Sequence, residues 1–545
     1  MPFLVLFAVG FVLRALFVVT GPDGGASWHL AMQGDAPVWQ DLAGKLARGM
    51  PDEEFQLPWR PPGMLWFTSA LWNGDPAAVG LVRWTCVVFG ALVAPLFWLW
   101  LVRARVDRTT AFVAGAITAM ATNLMLLATG LHVEGVYLTF VLGTLLLQQT
   151  MTAVATRTAL LAAVVLGASH GALCLLRAEH VLTFFVLLPL ARRAGAARST
   201  VLAALVAAVA VVAPWQLHAN AQVDAYNRQP VTLPQPSLPW EADAMTALHE
   251  QPTFAQMPTL GFVTETVRVR GGERVTRADL QIVREAYDCV PQALPHAFVA
   301  SYGALNFFLA NSPEADGGFS RAALDREPPL HGGEAKYPPG LRRVLPRGGQ
   351  LKFGYPPHLD AVVNGTQKGF ADLLADPWGG LVRIAKKAWH ALEGATGGIG
   401  GHALPIGLSG MRRQVDMVTA DSVVAQAWRG LVLGVAAFGL WRLRSRTLLP
   451  WFAFAATKLV VVLAYFGYAR HGAVCSPLLA LGVAEVLTPW LRGRVRLGAA
   501  ALVALLLLDG VRACLGATAT VDGQPATNGE PFGANDFAAH RIEFR

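Results

Sequence analysis

The sequence predicts an all-α polytopic membrane protein of about eleven transmembrane helices, with interfacial helices and a mixed extracytoplasmic region. Three observations carry that expectation. Of 545 residues, 54% are hydrophobic and only 15% charged, against about 25% charged in soluble domains; the mean hydropathy is +0.43. The apolar residues gather in runs close to the ~20 residues that one bilayer crossing needs. The connections between those runs form two alternating sets, one rich in arginine and one not.

The spans are taken at 2–20, 78–102, 109–129, 133–150, 158–176, 179–191, 199–216, 423–441, 447–467, 472–490 and 497–515. Residues 3–19 carry no basic flank and no A-x-A site, so they read as a retained first span rather than a cleaved signal peptide. The arginine-rich connections are RARVDR (103–108), TRT (156–158), RRAGAAR (192–198), RLRSR (442–446) and RGRVR (492–496). The positive-inside rule makes them cytoplasmic, and the N-terminus with them. The long segments 21–77 and 217–422 and the short turns at 130–133, 177–179 and 468–472 then lie outside. The chain thus divides into a transmembrane module 1–216 with its first outer loop 21–77, a large extracytoplasmic region 217–422, C-terminal spans 423–515 and a polar tail 516–545. The net charge of +8 is a topology signal of this kind and does not argue for a nucleic-acid partner.

Each outer element has its own logic. Span 179–191 is too short for a bilayer core of about 30 Å at 1.5 Å per residue, so Arg177-Ala178-Glu179 is expected within the depth of the membrane. Charges there are functional candidates by default; a structural Arg–Glu pair locking two helices is the plain alternative. From Trp39 to Leu46 apolar residues recur at helical spacing, as in an interfacial amphipathic helix. Asp35 stands two residues before Pro37, as a helix cap does, or as a carboxylate at a membrane-facing cavity. Arg60-Pro61-Pro62-Gly63 is expected to be a rigid non-helical turn, and Trp59, Trp66, Phe67 and Trp72 an aromatic belt. Residues 217–422 are too many for an unstructured loop. Within them 381–392 reads as a second interfacial helix, with Lys386 and Lys387 at lipid head groups or at a phosphate.

Cys86, Cys174, Cys289, Cys475 and Cys514 show no metal spacing. Cys86 and Cys174 read as core thiols, while a bridge between Cys289 and Cys475 is left open. There is no Walker A run and no GxGxxG between a strand and a helix, so any activated donor must arrive in the membrane. Asp35, Asp41, Arg60, His132, Glu134, Arg177, Glu179, Arg470 and His471 lie in different segments, yet the topology brings all of them to the outer side.

The order of motifs resembles the GT-C superfamily of membrane glycosyltransferases, in the bacterial branch of protein O-mannosyltransferases and lipid A aminoarabinose transferases. Gly34-Asp35 with Trp39, Ala43, Leu46 and Gly49 resembles the first-loop pattern, and Arg60-Pro61-Pro62-Gly63 its RPPG turn. Arg83, Glu134 in HVEGVYLTFVL, Arg177-Ala178-Glu179, PWQLHAN (214–220), ALNFFLANSPEADGGFS (304–320) and Tyr468-Ala469-Arg470-His471 with Pro477 follow in the family's order. Trp39, Ala178 and His218 depart from the usual Tyr, Pro and Arg.

That resemblance implies sugar transfer from a polyprenyl phosphate to an acceptor hydroxyl of a protein, lipid or glycan, with inversion, at the outer face of a bacterial inner membrane. It makes Asp35 the general base, Arg177, Arg470, Arg60 and His471 the donor-phosphate ligands, and Glu134, Glu179 and Asp41 supporting groups, with a divalent cation left open. The rivals are a transporter or lipid flippase, and a non-catalytic scaffold of the same fold. The charges gather at one face and show no two-fold repeat, which favours the enzyme over the transporter.

Overall fold

The computed structural model describes residues 1–20, 36–50, 57–153, 156–230, 232–286, 292–318, 320–326, 356–396, 423–443, 445–467 and 469–492, with short pieces elsewhere and in the tail. Asp35, Cys289, Cys514 and the candidate span 497–515 lie outside the described residues.

The described chain is a sequence of helices: α1 (Pro2–Thr20), α2 (Ala36–Ala47), α3 (Pro62–Leu71), α4 (Val79–Arg103), α5 (Arg108–Met120), α6 (Thr122–Thr129) and α7 (Val133–Ala153). After these come α8 (Thr156–Leu176), α9 (His180–Arg193) and α10 (Arg198–Arg228). The region that follows holds α11 (Ala242–His249), α12 (Thr253–Val269), α13 (Arg277–Ala286), α14 (Gly303–Asn311), α15 (Pro356–Val363), α16 (Gly365–Ala375) and α17 (Pro377–Thr396). The last helices are α18 (Val423–Leu443), α19 (Leu449–Ala464), α20 (Ala469–Ala473) and α21 (Ser476–Arg492). The tail adds a small antiparallel sheet in the order β2 (Gln524–Pro525), β1 (Ala519–Val521), β3 (Ile542–Phe544).

Ten of the eleven expected spans coincide with helices, but not all of these are long enough to cross a bilayer. Among the described residues, Val79–Arg103, Thr158–Leu176, Arg198–Arg228 and Arg446–Ala464 are long and apolar enough, and the α5–α6 pair, bent by 57°, makes a fifth if it is one span. Among the described residues four or five helices thus have crossing length, against the eleven expected from hydropathy. α9 has 14 residues, about 21 Å of helix, and is short as expected. The seventh span runs well past its expected end: α10 has 31 residues and continues through Pro214 to Arg228.

Two local expectations are corrected. Pro62 and Gly63 are helical, because a proline in a first turn gives up only an N–H that the helix would not have used; the rigid turn is confined to residues before them. The aromatic belt is also incomplete. Trp66 is exposed, but Trp72 is buried, and its indole donates to the Asp75 carbonyl at 2.6 Å.

The largest core lies between α4, α5, α7, α18, α19 and α21, around Trp100, Trp451, Phe97 and Tyr137. One end of it is pinned by Arg103 donating to Thr150 (3.3 Å), Thr447 to the Ala104 carbonyl (2.7 Å) and Thr110 to Thr488 (3.0 Å). This is the end of the arginine-rich connections. The opposite ends of α6, α8 and α19 turn into α7, α9 and α20, and these three turns converge.

The described part of 217–422 is helix and coil with one isolated bridge, Trp240–Val275. It has two apolar cores. One is formed by α11, α12 and α13 around Val263, Val275 and Leu280. The other joins α14 and α15 to Leu57, Val223 and Phe466, and so fastens the outer region to the convergent turns.

Candidate functional site

Glu134 stands in the first turn of α7, where a carboxylate meets the positive end of the helix dipole. Arg177 follows the last turn of α8, where a guanidinium meets the negative end. Backbone bonds from Arg177 N to Leu173 O (2.9 Å) and from His180 N to Arg177 O (2.9 Å) close the turn that carries it. Glycine brings neighbouring segments in. A Cβ on Gly63 would lie 2.8 Å from the Leu175 carbonyl, so the first turn of α3 presses against the end of α8, one turn from Arg177.

The 465–473 turn depends on α17. A Cβ on Gly467 would meet Lys387 Cα at 2.4 Å, and one on Gly472 the Ala391 carbonyl at 1.7 Å. Only glycine lets this backbone lie along α17. The carbonyls freed where α19 ends are capped from outside: Asn311 donates to Ala464 O at 2.9 Å, and Lys387 donates to Leu463 O at 3.2 Å and to Asn311 Oδ1 at 2.8 Å. Lys387 is thus fully buried and not at a lipid head group. The period of α17 turns it inward while Lys386 stays exposed.

Arg177 is the hub. Its NH1 donates to Glu134 Oε1 at 2.5 Å, its Nε to Glu179 Oε1 at 2.5 Å, and its NH2 lies 2.8 Å from His471 Nε2. Lys458 donates to Glu179 Oε1 at 2.9 Å. Arg470 Nε and His471 Nε2 each lie 3.6 Å from Glu134 Oε1. Among the described residues three cationic side chains (Arg177, Lys458, Arg470) therefore face two carboxylates, Glu134 and Glu179. Glu134 Oε2 is buried and accepts no hydrogen bond among the described residues.

Of the residues singled out from the sequence, Glu134, Arg177, Glu179, Arg470 and His471 come together, and His132 is buried two residues before Glu134. Arg60 lies in the coil 57–61, whose Leu57 and Trp59 pack with Tyr465 and Phe466 beside the same turn. Asp41 is not in the cluster: it pairs with Lys45 at 2.6 Å along α2, partly exposed. Asp35 lies outside the described residues. The residue after it, Ala36, is buried in one cluster with Leu131 and Val136, on either side of Glu134.

Sequence reasoning missed Lys458, Tyr137, His170 and His180. Each is a polar side chain inside an apolar run, a signal that was legible. Of the cysteines, Cys86 and Cys174 are buried free thiols as expected, and Cys475 is free.

Among the described residues no group of three His, Cys, Asp or Glu could hold a metal ion. Glu134 is ringed by Arg177, Arg470 and His471, and Asp41 pairs with Lys45. The arrangement suits an anion instead. A guanidinium offers fixed donors to phosphate oxygens, and an ammonium adds a point charge.

No protein-family model matches the chain, and no curated protein does. Solved structures resemble it at low identity. The Archaeoglobus fulgidus oligosaccharyltransferase in complex with Zn and sulfate is 10% identical over 94% of this chain and 53% of its own, with a TM-score of 0.41. The archaeal oligosaccharyltransferase AglB of the same organism, with an inhibitory peptide and a dolichol-phosphate, is 11% identical over 94% and 55%, with a TM-score of 0.38. This chain thus spans little more than half the length of these archaeal chains. ArnT from Cupriavidus metallidurans in the apo state is 12% identical over 89% and 78%, with a TM-score of 0.32. Likeness at this level leaves the chemistry to be read from the site's own side chains.

Proposed function

We propose that this chain is a multi-pass glycosyltransferase of the GT-C kind, which moves a sugar from a polyprenyl phosphate to an acceptor hydroxyl at the outer face of a bacterial inner membrane. The observation that carries the reading is the ion cluster. Three turns from distant parts of the chain meet in one place, with more cationic than anionic side chains among the described residues, at the end of the bundle opposite the arginine-rich connections. A lipid-linked phosphate arriving through the membrane is the anion such a place suits.

In this reading the acceptor oxygen attacks the anomeric carbon, the bond from that carbon to the phosphate oxygen breaks, and polyprenyl phosphate departs with both electrons. Inversion follows from attack on the face opposite the leaving group. Asp35 takes the hydroxyl proton and later returns it to water; the residue that follows it in sequence, Ala36, is buried with Leu131 and Val136 on either side of Glu134, which supports that role. Arg470, Lys458 and His471 meet the charge that grows on the leaving phosphate. Arg177, whose nitrogens are already engaged by Glu134, Glu179 and His471, holds the cluster together and yields to the phosphate only in part.

The test supplies purified protein in lipid nanodiscs with a panel of polyprenyl-phosphate sugars, each labelled in the sugar, and follows label leaving the lipid. Release from at least one donor, lost in Asp35→Asn at unchanged folded yield, is expected. Retention of label across the whole panel would sink the reading in favour of a transporter or a scaffold.

A further inference from the structure

Inside the bundle, below the ion cluster, three polar side chains form a chain of their own. Tyr137 of α7 and His180 of α9 are fully buried, and His170 of α8 is 1% exposed. The Tyr137 hydroxyl lies 2.7 Å from His180 Nδ1, and His180 Nε2 lies 2.8 Å from His170 Nδ1. The imidazoles stack at 5.1 Å and 23°, and His170 rests on Phe184 at 4.9 Å.

Neutral imidazole has one donor and one acceptor nitrogen, so the tautomers are linked. The assignment with each step satisfied has Tyr137 donating to His180 and His180 donating to His170. A buried polar network of this kind is costly unless complete, and when complete it fixes its members in one geometry.

What the chain fixes is the Tyr137 ring. Lys458 Nζ lies 4.4 Å from its centroid and Arg177 Cζ 5.9 Å. These two cations are forced close together because both donate to the same oxygen, Glu179 Oε1. The face of an aromatic ring is negative and offsets part of that repulsion. A phenol that could turn about its own axis would not present its face steadily. The phenolic O–H prefers the plane of the ring, so an acceptor held at His180 Nδ1 favours one ring plane and with it the face turned to Lys458.

We propose that Tyr137 is a positioning residue of the ion cluster, an aromatic floor that holds Lys458 and Arg177 in register and is itself locked by the His180–His170 pair. Among the described residues the hydrogen bonds of this chain run from Tyr137 to His180 and on to His170, so the histidines act through the tyrosine. The expected consequence for phosphate affinity rests on the donor reading above, whereas the geometry of the floor does not.

Two measurements test it. Farnesyl phosphate binding to the full chain in nanodiscs is compared for wild type, Tyr137→Leu, Tyr137→Phe, His180→Leu and the Tyr137→Phe/His180→Leu pair. Removing the ring should weaken binding about tenfold. Removing the hydroxyl or the imidazole should weaken it less, and the pair no more than either alone, since both act through one bond. Affinity within twofold of wild type in folded Tyr137→Leu would overturn the proposal while leaving the donor reading intact. The second measurement needs no ligand: with 13C-labelled lysine, the ε-methylene of Lys458 should resonate upfield in the ring current of Tyr137. That shift should vanish in Tyr137→Leu and move in His180→Leu. A wild type that binds no farnesyl phosphate removes the donor reading, and the lysine resonance then decides alone. An unshifted Lys458 signal in wild type, or one unchanged in His180→Leu, overturns the floor or its lock.

Discussion

Glu134 Oε1 faces Arg177, Arg470 and His471 at once, so a substitution there leaves several buried cations to one remaining carboxylate. Breaking a buried ion pair from one side costs about 3–5 kcal/mol. Glu134→Ala is therefore expected to lower stability by that order and to abolish sugar release; thermal unfolding in detergent reads the first and label release the second. A loss under ~1 kcal/mol would mean the carboxylate is better solvated than its burial implies. Lys387 gives a residue-scale prediction of another kind. Burial, with a smaller contribution from Arg383, pushes its ammonium down to about 8 from the ordinary 10.5. The unfolded chain then binds more protons than the folded one between those two values, and stability should rise as pH climbs through that window. Lys387→Met should flatten the rise. Denaturation midpoints of the two proteins at about pH 7.5 and about pH 9.5 check it, and equal pH slopes would refute it.

The turn between α19 and α21 is where element-level structure decides the geometry of the ion cluster. α19 stops at Ala464, and the carbonyls it leaves are taken up by Asn311 and Lys387 from two different outer helices. Gly467 and Gly472 then let the chain lie against α17, so that Arg470 and His471 emerge on the side of Glu134. A methyl on Gly472 would press 1.7 Å from the Ala391 carbonyl, and overpacking of this sort costs roughly 1–3 kcal/mol. Gly472→Ala should displace the turn and cut sugar release at least about tenfold, the loss that ~1.4 kcal/mol at the transition state brings. Wild-type release from that variant would show that the turn tolerates the shift. Asn311→Ala, which leaves the Ala464 carbonyl and Lys387 short of a partner, should destabilise by about 1–3 kcal/mol.

Over the whole molecule the two ends of the bundle differ in chemistry. Arg103, Arg442 and Arg446 belong to one end, and Glu134, Arg177, Glu179, Arg470 and His471 to the other. The positive-inside rule predicts that the first end is cytoplasmic. In a background free of native cysteines, Gly195→Cys should react with a membrane-impermeant maleimide only from the cytoplasmic side. Arg268→Cys, exposed on α12, should react only from outside. Labelling of both from one side would separate the outer helices from the site they are fastened to, and the proposed reaction could not be run as described.

The helices were legible because hydropathy is a local property, summed over about 20 residues, and ten stretches chosen that way are helical. Arg177 and Glu179 could be singled out for the same reason, since charges stand out in apolar sequence. Their partners could not. Arg177 meets Glu134 across 43 positions and His471 across 294, and nothing in a window around any of them says which pairs will form. Lys387 shows the limit most plainly: beside Lys386 in sequence, it turns inward because α17 packs against α19 and α20, and packing chose which of two lysines would be buried. Lys458 and the Tyr137–His180–His170 chain likewise read as isolated polar residues until the helices come together. Composition and the apolar runs determined that the chain belongs in a bilayer, and the charge asymmetry set the two ends of the bundle apart. The identity of the site was left to tertiary structure, because desolvated charges are stable only where partners from other helices arrive within hydrogen-bond reach.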